Sequence, residues 1–265
     1  MHQPNVIQVN KPDKVSGQIL PEVPKLAVPL GSDRSDRSSS YVLVPGELLP
    51  RPASDAKIRR NRFVDVATRA LDIFGSLSLT VVLLPVMLLL LVMVTISSKG
   101  SPVFAHRRVG KGGEGFNCYK FRSMCRDADV RLEKLLRDDP ARRQEWMLRH
   151  KLENDPRITR FGHFLRRTSL DELPQLFNVL IGDMSLVGPR PVVNDELGFY
   201  GRHLPSYLAM KPGLTGLWQV TCRSESTYRR RVAIDRVYAL NKCLLLDLRI
   251  LAATVPAVLS RKGAF

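Results

Sequence analysis

Between Asp72 and Lys99 the chain runs for 26 positions without a charged side chain, and Leu, Val and Met dominate. That is long enough to span the hydrocarbon of a bilayer. A soluble core helix rarely carries so prolonged a run, because part of its surface would meet water. Pro85 lies near the middle. Proline removes a backbone N–H and clashes with the preceding turn, so it bends or breaks a helix. Ser76, Ser78 and Thr80 precede it, and their hydroxyls can bond carbonyls freed by the bend. Both flanks are basic, with Arg59, Arg60, Arg62 and Arg69 before the run and Lys99, Arg107, Arg108, Lys111 and Lys120 after it. Lys and Arg collect on the cytoplasmic side of a span, so one crossing would break that rule at one end. A helix that enters and returns satisfies it. The flanks favour re-entry; a slightly kinked spanning helix stays open, since membrane helices tolerate proline.

The pattern divides the rest of the chain. Residues 1–58 are rich in Pro, Ser and Asp with apolar residues scattered singly, which predicts a disordered polar tail. The apolar run begins too far in to be a signal peptide. Residues 59–99 form the membrane segment, and 100–265 the remaining domain. There, Val109 to Gly115 is a glycine-rich turn, and Phe116 to Arg122 alternates like a short strand. Asp127 to His150 is highly charged, with Leu132, Leu135, Leu136, Trp146 and Leu148 at helical spacing and Pro140 interrupting. This predicts one or two surface helices with a thin apolar face. Short helices joined by Gly/Pro loops follow. Leu244 to Leu259 is a leucine-rich helix for the core or the membrane interface. No internal repeat is apparent. The class predicted is α/β: a mostly helical domain with a small sheet, on a re-entrant membrane helix broken at Pro85, with a kinked spanning helix as the alternative.

Charge narrows the partners. The 265 residues carry a formal net charge of +16. Such a balance suits nucleic acid, an anionic membrane surface or phosphorylated substrates. The four cysteines, Cys118, Cys125, Cys222 and Cys243, form no CxxC or Cys/His pattern, so neither a zinc site nor a disulfide framework is expected.

Candidate chemistry concentrates between Phe164 and Asn178. Asp171 and Glu172 are adjacent carboxylates that follow Arg166, Arg167, Thr168 and Ser169. One reading is structural, with Thr168 or Ser169 capping a helix whose first turn carries the acids. The other is phosphoryl transfer, in which a carboxylate attacks phosphorus or holds Mg²⁺ while Arg neutralises the moving group. Downstream, Pro189 and Pro191 fix the backbone on either side of Arg190 and pre-aim its guanidinium as a phosphate fork. Lys120 and Arg122 add charge just after the membrane segment, where a lipid phosphate would lie, or simply attract anionic lipid.

Four blocks resemble the monotopic phosphoglycosyl transferases, the bacterial sugar transferase family: ALDIFGSLSLTVVLLPV, RRVGKGGEGFNCYKFRSM, DPRITRFGHFLRRTSLDELPQLFNVLIGDMSLVGPRP and KPGLTGLWQV. The third is long and nearly gapless. Together they cover most of residues 60–260, and the first 58 residues have no counterpart. The ending LSRKGAF and the TGLWQV block look most like rhizobial-type exopolysaccharide initiators. The resemblance implies a catalytic dyad at Asp171 and Glu172, with Asp171 the nucleophile that forms a covalent phosphosugar. It implies Mg²⁺ bridging Asp171 and the substrate phosphates. It places Lys120, Arg122, Arg166, Pro189, Arg190, Pro191, Lys211, Gln219 and Arg223 in the substrate site, and the helix break at Pro85. One departure stands out: Thr221-Cys222-Arg223 follows Gln219-Val220, with Cys222 where the family often has glycine.

The implied activity is transfer of a hexose-1-phosphate, galactose or glucose, from a UDP-sugar to polyprenyl (undecaprenyl) phosphate with release of UMP. The implied place is the cytoplasmic face of the bacterial inner membrane, at the first membrane step of exopolysaccharide synthesis. The partners expected are both substrates and membrane lipid, with a homodimer allowed and no nucleic acid. The rival from another class is a non-enzymatic membrane-tethered basic module for anionic lipid or nucleic acid. A polyanion binder gains nothing from Asp171-Glu172 among its arginines, whereas a Mg²⁺ phosphotransfer site uses them. A multi-span sugar-phosphate transferase would need many more apolar spans.

Overall fold

The computed structural model describes residues 41–44, 47–50, 62–98, 100–149, 152–221 and 227–259. Strands β1 (Tyr41–Val44) and β2 (Glu47–Pro50) pair antiparallel, with Val44 opposite Glu47. They fall inside the stretch expected to be a disordered tail. The apolar tetrapeptide Tyr41 to Val44 and the Pro45-Gly46 turn signal are what the scattered-residue reading passed over. The rest of that expected tail lies outside the described residues.

Helix α1 (Arg62–Ser98) is 37 residues long, about 55 Å at 1.5 Å per residue. It is one continuous helix through Pro85, so the break expected there is not seen. The Ser76 hydroxyl donates to the Asp72 carbonyl, and Thr80 donates to the Ser76 carbonyl at 2.7 Å. These are back-bonds one turn upstream. They do not reach the Val81 carbonyl, which loses its helical donor to Pro85. Buried positions Thr68, Asp72, Ser76, Met87, Leu90, Val94 and Ser98 form one stripe at spacings of mostly three or four. Before Pro85 the stripe is polar and hydrogen-bonded. After it, Met87, Leu90 and Val94 pack with Phe121 and Leu165. Both halves therefore dock on the same body. The opposite side shows Phe74, Val81, Val82, Leu88, Leu89 and Ile96 exposed. An apolar surface this continuous marks contact with lipid or protein rather than water.

Strands β3 (Val103–Val109) and β4 (Gly115–Phe121) form an antiparallel hairpin, in register from Val103–Phe121 to Val109–Gly115. Gly112 and Gly113 at its tip have φ of 74° and 88°, which glycine alone adopts cheaply. Helices α2 (Ala128–Asp138) and α3 (Pro140–Arg149) are the predicted surface pair. Pro140 opens α3, and Asp139 caps it by accepting from the Ala141 and Arg142 amides at 2.9 and 3.1 Å.

Helix α4 (Arg160–Thr168) starts at Thr159, whose hydroxyl accepts from the Gly162 amide at 2.9 Å. Helix α5 (Gln175–Ile181) leads to β5 (Ser185–Val187). A 3-10 stretch over Asn194–His203 and α6 (Leu204–Leu208) cross over to β6 (Gly213–Thr215), which pairs parallel with β5. Helices α7 (Leu217–Thr221), α8 (Tyr228–Asn241) and α9 (Leu244–Leu259) complete the body. The α9 bounds are those expected from its leucines, and Leu245, Leu248 and Val255 on it are exposed. The fold is mostly helical with little sheet: three two-stranded pairs among the described residues. The main core packs Leu176, Val179, Leu186, Leu217, Ile234 and Ile250 around β5.

Candidate active site

Asp171 and Glu172 lie on a single 3-10 turn, Leu170–Glu172, between α4 and α5. Ser169 ends α4 in the left-handed region at φ 58°, and its amide donates to the Arg166 carbonyl at 3.2 Å. The chain turns there and carries Asp171 inward. The expectation that Thr168 or Ser169 caps a helix fails. The Thr168 hydroxyl turns back to the Phe164 and Leu165 carbonyls, and the Ser169 side chain makes no cap bond. Helix α5 begins only after Pro174.

Asp171 is 8% exposed. Burial pushes its carboxyl up to about 6, and the neighbouring Glu172 adds to the rise, while Lys120 and Arg166 oppose it. Burial also works against ionisation of Glu172. Lys120, Arg190 and Arg108 outweigh it and hold that carboxyl below its ordinary value. Lys120 reaches from β4 to bond Glu172 Oε1 at 2.6 Å. Arg166 is fixed by a 2.9 Å bond from its Nε to Ser123 Oγ. Two adjacent acids are thus pushed apart, one held ionised and one made more basic than an ordinary aspartate.

The Arg190 loop is built as its prolines suggest. Pro189 and Pro191 are buried and Arg190 is exposed. The backbone on both sides is pinned. The Pro189 carbonyl accepts from the Gly213 amide at 2.8 Å, Arg190 from the Arg231 guanidinium at 3.3 Å, Pro191 from Arg108 at 3.3 Å, and Val192 from the Val109 amide at 2.9 Å. Arg231 itself lies over the Trp218 ring at 5.2 Å.

Residues 63–261 match the sequence profile described as bacterial sugar transferase. The chain belongs to the bacterial sugar transferase family. It is 45% identical over 226 residues to a protein of Erwinia amylovora named UDP-galactose-lipid carrier transferase, covering 85% of this chain and 46% of that one. It is 44% identical over 200 residues to exopolysaccharide production protein ExoY of Sinorhizobium fredii, 76% of this chain and 88% of that one. It is 38% identical over 242 residues to UDP-glucose:undecaprenyl-phosphate glucose-1-phosphate transferase of Caulobacter vibrioides, 88% and 81%. The chain thus spans about half of the Erwinia relative and most of the other two. A match over 85% of the chain is longer than residues 59–265, so it reaches into the first 58, which were expected to have no counterpart.

All the described site candidates lie within the family's matched region, but they do not all converge. Lys120, Arg166 and Arg190 act on the acid pair. The Arg122 guanidinium instead lies against Gly100, near the end of α1. Lys211 stands beside Arg69 at Gly182, away from the pair. Gln219 packs on Gly216, itself pressed against the Gly188 carbonyl just before Pro189. Arg223 lies outside the described residues.

Among the described residues no three acidic, His or Cys side chains converge. Mg²⁺ commonly takes one or two carboxylates, substrate phosphates and water, so a full protein cage is not required. The Asp171–Glu172 pair fits that kind of ion, which Asp171 would hold, since Glu172 is engaged by Lys120.

Sequence reasoning missed Arg108, Ser123, Asn178 and Arg231. Arg108 counted only as a basic flank; its place immediately before a glycine-rich turn was the available signal. For Arg231, in a run of three arginines, the sequence carries no signal that singles it out.

Proposed function

We propose that this protein moves a hexose-1-phosphate from a UDP-hexose to polyprenyl phosphate and releases UMP. The observation that carries the reading is the acid pair: a buried Asp171 raised to about 6 beside a Glu172 clamped by Lys120 at 2.6 Å. The names of the Erwinia and Caulobacter relatives support the substrate class. The galactose-named Erwinia relative shares 45% identity against 38% for the glucose-named one, which favours galactose.

Asp171 attacks the β-phosphorus, and the bond from that phosphorus to the bridging oxygen breaks toward UMP. A polyprenyl phosphate oxygen then attacks the same phosphorus. The bond to Asp171 breaks, returning the carboxylate and giving a polyprenyl diphosphate sugar. At pH 7 a carboxyl with a pKa near 6 is mostly ionised and a better nucleophile than an ordinary aspartate. Lys120 keeps Glu172 ionised and in place, and Arg166 and Arg190 offset charge on the phosphates. Mg²⁺ held at Asp171 would shield the diphosphate from the carboxylate it must meet.

The apolar outer face of α1, with both halves docked on one body, supports a monotopic placement on the cytoplasmic face of the inner membrane. Without lipid acceptor, UDP-galactose or UDP-glucose should yield at most about one UMP per active site, with sugar phosphate retained on the Asp171 peptide. EDTA should abolish this release and Mg²⁺ restore it. UMP that appears only with polyprenyl phosphate, and no adduct by mass spectrometry, would favour direct transfer instead.

A further inference from the structure

The β3–β4 hairpin presents one face toward the acid pair. The register places Phe104 opposite Lys120, His106 opposite Cys118, and Arg108 opposite Phe116, so Lys120, His106 and Arg108 share that face. The charges agree with the register: Cys118 lies in the combined field of Lys120, Arg108, Glu172 and Arg190. Lys120 ends the face at Glu172. At the other end, Arg108 lines a cavity of about 380 Å³ together with Arg107, Gly113, Gly115, Asn194 and Asp195. A cavity of a few hundred Å³ is the size that takes a small ligand. Lys120 and Phe116 are four residues apart, so the acid pair and the cavity are separated by about 13 Å of strand. That is the reach of a nucleoside diphosphate from its terminal phosphorus to its base.

We propose that this face holds the nucleoside monophosphate half of the donor, with its phosphate against Arg108 and His106 and its nucleoside in the cavity beside Asn194 and Asp195. The proposal rests on the transferase reading and adds the seat of the leaving group. The Arg108 bonds to the Pro191 carbonyl and Glu196 use Nη1. A guanidinium has five N–H donors, so Nε and Nη2 can meet a phosphate. When the bond to the β-phosphorus breaks, its electron pair stays on the UMP phosphate, and Arg108 faces the charge that develops there. Burial, Arg108 and Lys120 hold the His106 imidazole below its ordinary pKa. Gly113 leaves its part of the wall open, the Arg107 guanidinium lies across Gly115, and Asp195 offers a carboxylate to ribose hydroxyls.

The test is UMP binding to the full chain in detergent, by calorimetry. R108Q should weaken UMP at least tenfold and D195A severalfold. D171N, which has no turnover on the transferase reading, should still bind UMP. In the parent, UMP should slow amide hydrogen exchange at 107–115 and 193–195. The assignment is overturned if folded R108Q binds UMP like the parent, or if protection falls elsewhere. Should R108Q not fold, D195A and the exchange pattern decide. A parent that turns over UDP-hexose while R108Q binds UMP normally keeps the transferase reading and loses this one. A parent that binds UMP as described but turns over no nucleotide sugar loses the transferase reading instead.

Discussion

Asn178 accepts a hydrogen bond from the Tyr119 backbone amide at 2.9 Å and donates to the Asn117 carbonyl at 2.7 Å. One fully buried side chain thus fastens α5, which follows the acid pair, to the strand that carries Lys120. The register of Lys120 against Glu172 depends on it. Asn178→Leu leaves two backbone groups without this partner, at a cost of roughly 1–3 kcal/mol for each. The melting temperature should fall, and turnover should fall further than the lost folded fraction accounts for. Full turnover in the folded variant would show that Lys120 is positioned without Asn178.

The acid limb of the pH profile should belong to Asp171. With its pKa near 6, the nucleophile is protonated below that pH, and the rate of UMP release should fall there. Lys120 lowers this pKa, so Lys120→Met should move the limb to higher pH as well as reduce turnover by roughly 100-fold, as expected for loss of a positioned charge. A limb that stays in place in Lys120→Met would detach it from Asp171.

The same shift is a cost in stability. The Asp171 carboxyl titrates near 6 in the folded state against an ordinary value of 3.8, so the folded state binds its proton more tightly. Its contribution is favourable below pH 3.8 and is lost as pH rises through 6. Asp171→Asn never ionises. It should therefore be more stable than the parent at pH 7.5, by an amount of the order of 1–3 kcal/mol, with the difference vanishing below about pH 4. Melting at the two pH values measures this; equal stability at pH 7.5 would mean that Asp171 is not strained by burial.

The sequence revealed those features whose cause is local. The apolar run after Asp72 is helical to Ser98 as its length and composition predict, Pro140 marks a helix start, and Leu244 to Leu259 is bounded by its own leucines. Two prolines around Arg190 read as a fixed backbone, and the carbonyls of Pro189, Arg190, Pro191 and Val192 are each hydrogen-bonded. Long-range pairing was not legible. β3 lacks a clean alternation and gains its strand from pairing with β4. Lys211 shares a sequence block with Gln219 yet faces Arg69, because α5 and α1 meet there. The polar residues on the inner stripe of α1 were read as servants of a proline bend. Asp72 is instead a docking group, accepting from Ser185 Oγ and the Leu186 amide, both at 2.8 Å.

That docking bears on topology. Ahead of Pro85, Arg69 donates to the Val179 and Leu180 carbonyls, both at 2.7 Å, and so closes the C-terminal end of α5. Asp72 is buried in its bonds to β5. Beyond Pro85, Met87, Leu90 and Val94 are buried against Phe121 and Leu165. A crossing that carried one half of α1 away from this body would strip either a bonded carboxylate or an apolar seam of its partners. Leaving Asp72 unpaired in lipid would be the more expensive loss. Both ends of α1 should therefore stay on one face of the membrane, as their basic flanks prefer. Single cysteines at Ser38 and Ser101, in a background with the four native cysteines replaced, report the two sides. In the parent both should resist a membrane-impermeant thiol reagent in intact cells and react after lysis. Asp72→Leu combined with Pro85→Leu removes the latch and restores the backbone N–H that Pro85 lacks, and should favour a crossing that makes the Ser38 position reactive in intact cells. Reactivity of that position in the parent would mean that α1 spans, and the one-sided placement would have to be abandoned.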